Sequence, residues 1–384
     1  MTSTPPPPVT TEEPEPPQHA AIGPGERQSG SRRALNAFLA LLLPVAAALV
    51  FWWAFEWMRT TEANRLTVVL VAITVGVGGV FAAFLGMDKI VDQIPFRRQE
   101  GARPWVFVGP ALVLLSVFLL YPAISTIVVS FQDQTATNFV GLDNYKFVFS
   151  DPSMLRSIRN TLGWMIIVPA VATSIGLVFA MLADRLPRGE SLAKSLIFLP
   201  MAISFVGASV VWAFIFDFRA FGNQTGLLNG IWTALGNDPV GWLSREPWNN
   251  LFLMVIMVWM QTGFAMVILS AAIKSVPDDI IEAARIDGAT EFQVFRSVII
   301  PSIMSAIVVV MTTMIINVLK VFDIVWVMTS GQSGTEVIAE RMIRWSFAFR
   351  NNGRGAAIAV LLFVMVIPVM IWNVKRFRAE EEIR

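Results

Sequence analysis

LFLMVIMVWMQTGFAMVILSAAI, residues 251–273, is followed after one lysine by SVPDDIIEAARIDGATEFQVFRSVIIP, residues 275–301. The first stretch has no ionisable side chain and, at 1.5 Å rise per residue, is long enough as a helix to cross the ~30 Å core of a bilayer. The second changes character at once and reads as a short amphipathic helix outside that core. Ser275 is placed to cap it, Pro277 falls in its first turn, and Asp278 and Asp279 favour its positive end. Ile281, Ala284 and Ala289 are apolar or small and leave room for a partner surface, while Gly288 permits a turn or a close backbone contact. Phe292, Phe295 and Val298 then repeat at helical spacing, and Pro301 is expected to stop that helix as the next apolar run begins.

Working outward, apolar runs of similar length cover about residues 35–55, 66–86, 105–131, 161–183, 196–216, 302–319 and 355–374, which with 251–273 predicts eight spans. Composition agrees. Of 384 residues, 55% are hydrophobic and 15% charged, with a mean hydropathy of +0.62, whereas soluble domains carry about 25% charged residues. The expected fold class is therefore an all-α, polytopic membrane protein, with lipid as its first partner.

Lys and Arg test the span list, because they collect in alternate connections when the helix count is right. Residues 1–34, 87–104, 184–195, 274–300 and the C-terminal tail hold 17 of the 29 basic residues, leaving fewer in the longer opposite set. Both termini are thus expected in the cytoplasm, and the chain in the cytoplasmic membrane. The 328–354 connection holds four Arg on the wrong side of this rule. It also holds Gly331, Gly334, Glu336, Glu340 and Asn351-Asn352, which are costly in lipid, so it is not read as a further span.

Absences narrow the function. Without cysteine there are no disulfides, thiolate metal sites or cysteine nucleophiles, and the single histidine, His19, lies in a Pro-rich tail far from any span. No metal site and no catalytic residue is expected. A net charge of +1 gives no nucleic-acid footprint. No Gly-x-x-x-x-Gly-Lys-[Ser/Thr] sequence occurs, so the chain has no phosphate-cradling loop of its own. Residues 1–33, with Pro5-Pro6-Pro7-Pro8, have the composition of an unpacked cytoplasmic tail, and they lack the apolar region of a signal peptide.

Glu282-Ala283-Ala284, three residues, Gly288, nine residues and then Val298-x-Ile300-Pro301 resembles the EAA loop of permease subunits in bacterial binding-protein-dependent ABC importers. Other stretches resemble the sugar-permease branch of that family: Phe139-Val140-Gly141-Leu142-Asp143-Asn144-Tyr145, Asn160-Thr161-Leu162, Ser195 to Pro200, Gly226-Leu227-Leu228-Asn229, and Phe322-Asp323-Ile324 with Thr329-x-Gly331. Where family members read Gly-Gly-Pro, this chain has Gly331-Gln332-Ser333.

The resemblance covers about residues 104–376 and implies a six-helix permease core. Two extra N-terminal helices with their linker (34–103) would precede it, and a short cytoplasmic tail (377–384) would follow. The eight-span count resembles the maltose-type first permease subunit. The resemblance further implies that 275–301 is a coupling helix docking on an ATPase subunit, with Glu282, Ala283, Ala284, Asp287, Gly288 and Pro301 as its motif positions. Implied partners are a second homologous permease, two cytoplasmic ATPase subunits that hold the ATP and Mg, and an external solute-binding protein. The chain itself is expected to bind no cofactor and to be no enzyme.

Polar residues at membrane depth are expensive and point to function. Gln261-Thr262-Gly263 interrupts the 251–273 run, and Asn317, Lys320 and Asp323 lie late in the next one. Planar amides and aromatic faces suit sugars, so Gln261, Asn317 and Phe264 are candidates. By resemblance to the maltose-type permease, Met257, Met260, Met314 and Val321 line the same pocket. Against this stands the reading in which Gln261 and Asn317 only bond neighbouring helices, and in which Lys320 and Asp323, three residues apart, neutralise each other. The substrate expected from the overall resemblance is an α-glucoside such as maltose or trehalose. Glycerol-3-phosphate or another polyol is the alternative, for which only Lys320 offers a cation. A secondary transporter would show ionisable relays inside several spans, and these are not present in the first six or the eighth.

Overall fold

The computed structural model describes residues 46, 49–61, 63–92, 104–105, 108–109 and 111–381. The 1–33 tail, most of the 35–55 run, the 93–103 segment and residues 382–384 lie outside these. The chain divides into two compact units, Met1–Tyr121 and Pro122–Arg384. In the first, residues 49–60 are helical and α1 (Arg65–Asp92) follows; 17 of its residues, Arg65–Phe81, form an apolar helix.

The elements beyond are helical, with only one isolated bridge, Gln132 to Phe139, among the described residues. Helix α2 (Ala111–Val129) contains a π turn, and α3 (Asp143–Ser150) leads into the long α4 (Pro152–Asp184). Then come α5 (Glu190–Ala202), α6 (Phe205–Ile215), α7 (Leu227–Ala234) and α8 (Trp248–Lys274). They are followed by α9 (Asp278–Ile286), α10 (Glu291–Ser302), α11 (Met304–Leu319), α12 (Asp323–Thr329), α13 (Ile338–Ile343) and α14 (Asn352–Glu381). By length and composition α2, α4, α8 and α14 can each cross a membrane, and the pairs α5–α6 and α10–α11 make two more spans if each is one bent helix. Those six correspond to the last six expected from sequence; a count of eight is not reached among the described residues.

Two expected spans are not straight. Between α5 and α6 the chain turns by 100°, and between α10 and α11 by 68°. The first bend has a local cause. Pro200 enters a 3-10 turn, Ile203 and Ser204 are extended, and the Ser204 hydroxyl then caps α6 by accepting from the Gly207 N–H at 3.0 Å. The second break falls at buried Ile303 rather than at Pro301, which sits in the short Ile300–Ser302 turn that closes α10. A π turn, Phe295–Ile299, precedes it.

Helix α8 is the axis of the unit, with thirteen buried residues along its length. Gly176 of α4 faces it so closely that a Cβ there would lie 2.5 Å from Ala265 Cβ, and Gly263 of α8 meets the α5 backbone, 2.6 Å from Ile197 O to a Cβ at that position. Small residues thus let three backbones cross at near contact, as membrane helices require in the absence of a hydrophobic drive between them. Around α8 the apolar side chains gather in two clusters, one centred on Trp164, Leu253, Met257 and Ile324, the other on Ala172, Ala265, Leu269 and Met314.

The asparagines of the resemblance are clamps for irregular backbone. Asn144 donates to Ser130 O and Gln132 O, and Asn160 to Gly334 O and Glu336 O. Asn229 holds Asp217 O and both backbone groups of Val240. Beside Asn160, Thr161 accepts from the Ile338 N–H. The 328–354 connection is therefore a folded cap on the Asn249 end of α8, with Glu336 and Glu340 buried against Arg156, Arg341 and Arg344. Burial pushes the Glu340 carboxyl up in spite of the two arginines beside it.

Candidate functional site

At the α5–α6 bend the chain opens a cavity of about 450 Å³ lined by Met201, Ile203, Ser204, Phe205, Val206, Met260, Gln261, Asn317 and Asp323. A second of about 250 Å³ shares Phe205, Asn317 and Asp323 with it and adds Met257, Lys320, Val321 and Phe322. The larger is within the size range of small-molecule sites, apolar with a few placed polar groups.

Gln261 is only 5% exposed, yet neither its amide nor that of Asn317 has a hydrogen-bond partner among the described residues. A polar side chain between membrane helices ordinarily bonds across to its neighbour. Here both amides face one open space. Thr262, by contrast, turns its hydroxyl back to Val258 O at 2.7 Å, and Gly263 serves the crossing with α5. The polar interruption of α8 therefore divides into one cavity residue and two packing residues.

Lys320 and Asp323 both line the smaller cavity without an ion pair within 4.0 Å between them. The spacing of three suggests neighbours only if the helix continues. It does not: α11 ends at Leu319, Lys320 caps it, and Asp323 starts α12, so the two belong to different helices. Of the seven expected pocket residues, Met257, Met260, Gln261, Asn317 and Val321 line the two cavities. Met314 is fully buried in the second apolar cluster and Phe264 packs against that cluster, away from both. Sequence reading of 196–216 as one straight span missed Met201, Ile203, Ser204 and Phe205. The signal was present as Pro200 followed four residues later by a capping serine.

At the other end of α8, the 275–301 segment is held by its own bonds. Ser275 does not cap α9; its hydroxyl turns back to Ala272 O, and Pro277 occupies the cap position. At the far end Ala289 N–H reaches Ala284 O and Gly288 N–H reaches Arg285 O, both at 3.0 Å, closing a Schellman turn that puts Gly288 at φ +84°. Thr290 and Gln293 form a capping box for α10, and Arg285 pairs with Glu291 at 2.9 Å across the turn.

Ile281 packs on the second apolar cluster and so faces inward, while Ala284 and Ala289 are half-buried. Glu282, Ala283, Asp287 and Gly288 are exposed, with Ile286 84% exposed and Phe292 68% exposed next to them. A Cβ at Gly288 would meet nothing within 4 Å. Pro301 stands apart from this group, ahead of the break at Ile303.

Residues 172–375 match the family described as "Binding-protein-dependent transport system inner membrane component". The chain is 54% identical over 280 residues to the osmoprotective compounds uptake permease protein GgtC of Synechocystis sp., covering 73% of this chain and all of that one. It is 45% identical over 332 residues to the alpha-glucoside transport system permease protein AglF of Rhizobium meliloti, covering 83% and 98%. In fold it is similar to a chain of a crystallised bacterial ABC transporter involved in alginate import, with a TM-score of 0.64 at 19% identity over 74% of this chain and 97% of that chain.

Proposed function

From the premise that the chain belongs to the inner-membrane components of binding-protein-dependent transport systems, we propose that it is the sugar-translocating permease subunit of an ABC importer for an α-glucoside such as maltose or trehalose. The observation that carries the proposal is the pair of unpartnered amides, Gln261 and Asn317, facing one cavity between Met260 and Phe205. Neutral amides both donate and accept, which matches sugar hydroxyls, and Phe205 supplies an aromatic wall. Lys320 is offset in the smaller cavity by Asp323, so the site has no net cation to favour a phosphate such as glycerol-3-phosphate. The alpha-glucoside transport named for AglF supports the same class.

In this reading the Lys274 end of α8 faces the cytoplasm, which the excess of basic residues on that side supports, and both termini lie there. ATP binding closes two ATPase subunits. Their motion enters through α9, where Glu282, Ala283 and Gly288 present an exposed face, and the bundle turns from inward- to outward-facing to receive sugar from an external binding protein. A second, homologous permease supplies the other coupling helix, and ATP with Mg stays on the ATPase subunits.

The test is uptake of labelled maltose, trehalose, sucrose, a monosaccharide and glycerol-3-phosphate by an in-frame deletion strain with and without complementation. Loss of an α-glucoside, restored by the wild-type gene, is the expected result. Loss of glycerol-3-phosphate alone would overturn the substrate class.

A further inference from the structure

At the end of the bundle where α9 attaches, four charged side chains and a hydroxyl from three helices meet. Lys194 of α5 donates to Asp184 Oδ1 at the end of α4 at 2.5 Å, to Glu190 Oε1 at 2.6 Å, and to the Ser270 hydroxyl of α8. Ser270 itself donates to Asp184 Oδ1 at 2.7 Å. Lys274, the last residue of α8, donates to Glu190 and stands 3.8 Å from Asp184. Two carboxylates thus balance two ammonium groups, away from both the cavity and the exposed face of α9.

One acceptor in this cluster is open. Asp184 Oδ2 is buried without a hydrogen-bond partner, which a charged oxygen out of water does not tolerate cheaply. Lys274 therefore has two seats: Glu190, which it occupies, and Asp184, which is close by and incompletely filled. Lys274 stands 3.8 Å from Asp184 Oδ1, so a small shift brings it onto that carboxylate and leaves the more exposed Glu190 to Lys194 alone. One cation with two neighbouring carboxylate seats is a two-state element. It lies where motion must pass, because α9 begins only four residues after Lys274, and Val276 and Ile281 bury in the same apolar cluster as Leu269 of α8.

We infer that Lys194 is a positioning residue, the fixed hub about which Lys274 exchanges between Glu190 and Asp184, so that displacement of α9 is passed to α5 and along it to the bend that lines the cavity. The inference rests on the reading of 275–301 as the ATPase-facing loop and not on which sugar is carried.

The chain has no cysteine, so Arg188→Cys and Ser275→Cys, both at exposed positions, give its only pair of spin labels once the partner subunits are made cysteine-free. In the complete transporter in lipid nanodiscs, ATP is expected to shift the label-to-label distance when Lys194 is present. With Lys194→Met the distribution is expected to be broad and indifferent to ATP, and sugar uptake per ATP hydrolysed to fall about tenfold. Lys194→Arg should restore most of both, and Glu190→Gln, which removes only the more exposed seat, should fall between. A distance that ignores ATP in the chain with Lys194 intact overturns the inference. So does a Lys194→Met variant that lowers uptake and hydrolysis by one common factor at unchanged distance, since that is a merely structural role. Co-purification of the ATPase separates the two levels. Its absence with the wild-type chain sinks the loop assignment and the inference together, whereas normal co-purification with an unresponsive distance sinks the inference alone.

Discussion

Gly263→Ala isolates the crossing that holds the α5–α6 bend over the cavity. A Cβ at this position would sit 2.6 Å from Ile197 O and 2.7 Å from Phe198 Cα, both backbone atoms that no rotamer change removes. Restoring an ordinary 3.4 Å contact requires α5 to back away from α8 by about 0.8 Å, and overpacking of this kind costs about 1–3 kcal/mol. The displaced segment continues directly into Met201, Ile203 and Ser204, one wall of the site, while Gln261 on α8 forms the other. A misplacement near 1 Å between groups that must act together lowers rate by up to about a hundredfold, so a ten- to hundredfold loss of sugar uptake is expected. The α9 face lies far along α8, so membrane insertion and ATPase co-purification should be unchanged. The matched control is Gly163→Ala on α4, where the new Cβ meets Met254 Cε at an ordinary 3.9 Å and the helix gains from losing a glycine. Uptake kinetics of both variants in the deletion strain decide the matter. Wild-type uptake by Gly263→Ala, or an equal loss in both variants, would refute the claim that this crossing sets the site.

Three further outcomes are expected. Gly288→Ala meets open space but adopts φ +84° at a penalty of about 1–2 kcal/mol, so it should insert and transport at reduced level, whereas Gly288→Arg should insert yet abolish ATPase co-purification and uptake; normal co-purification of the Arg variant would contradict the docking role. Gln261→Ala and Asn317→Ala each remove one neutral hydrogen-bonding group, about 0.5–1.5 kcal/mol, so uptake affinity should weaken roughly three- to tenfold with basal ATPase retained, and unchanged kinetics in both would return these amides to bundle packing. Asp133 accepts from the Thr137 N–H at 3.0 Å, from the Asn138 amide at 2.7 Å and from Thr135, which hold its carboxyl well below the usual range. Because the folded value is the lower one, its support of the 133–138 loop is complete above the ordinary Asp value of about 4 and is lost progressively as pH falls from there through the folded value; a drop in the amide protection of Thr135 and Thr137 relative to their intrinsic exchange at each pH, absent in Asp133→Asn, is the check.

Much of the fold was legible because the decisive signals are local and additive. Apolar run length located the six described spans of the core, and the sequence after Lys274 showed a structured connector with a turn at Gly288. What stayed hidden depends on how helices end. Residues 196–216 read as one apolar run because the 100° turn is made by two short-range devices, a proline and a capping serine, that leave hydropathy untouched. The same blindness paired Lys320 with Asp323, since counting three residues assumes a helix that stops at Leu319. For the site, chemistry singled out Gln261 and Asn317, but only three-dimensional packing separates Met257 and Met260 at the cavities from Met314 sealed in the core. On α9, Ile281, expected to face a partner, faces inward because it has an apolar cluster to join.

The connector after α8 is ordered before anything touches it: a Schellman turn closes one helix, a capping box opens the next, and Arg285 with Glu291 ties the two. A protein landing there meets a finished surface and induces no folding. The heat-capacity change of association should therefore report little more than the apolar area of Ile286, Phe292 and their neighbours leaving water, without the large extra share that accompanies coupled folding. Under the proposed coupling role, a push delivered to such a surface would not be absorbed in ordering it and would pass into the bundle as displacement.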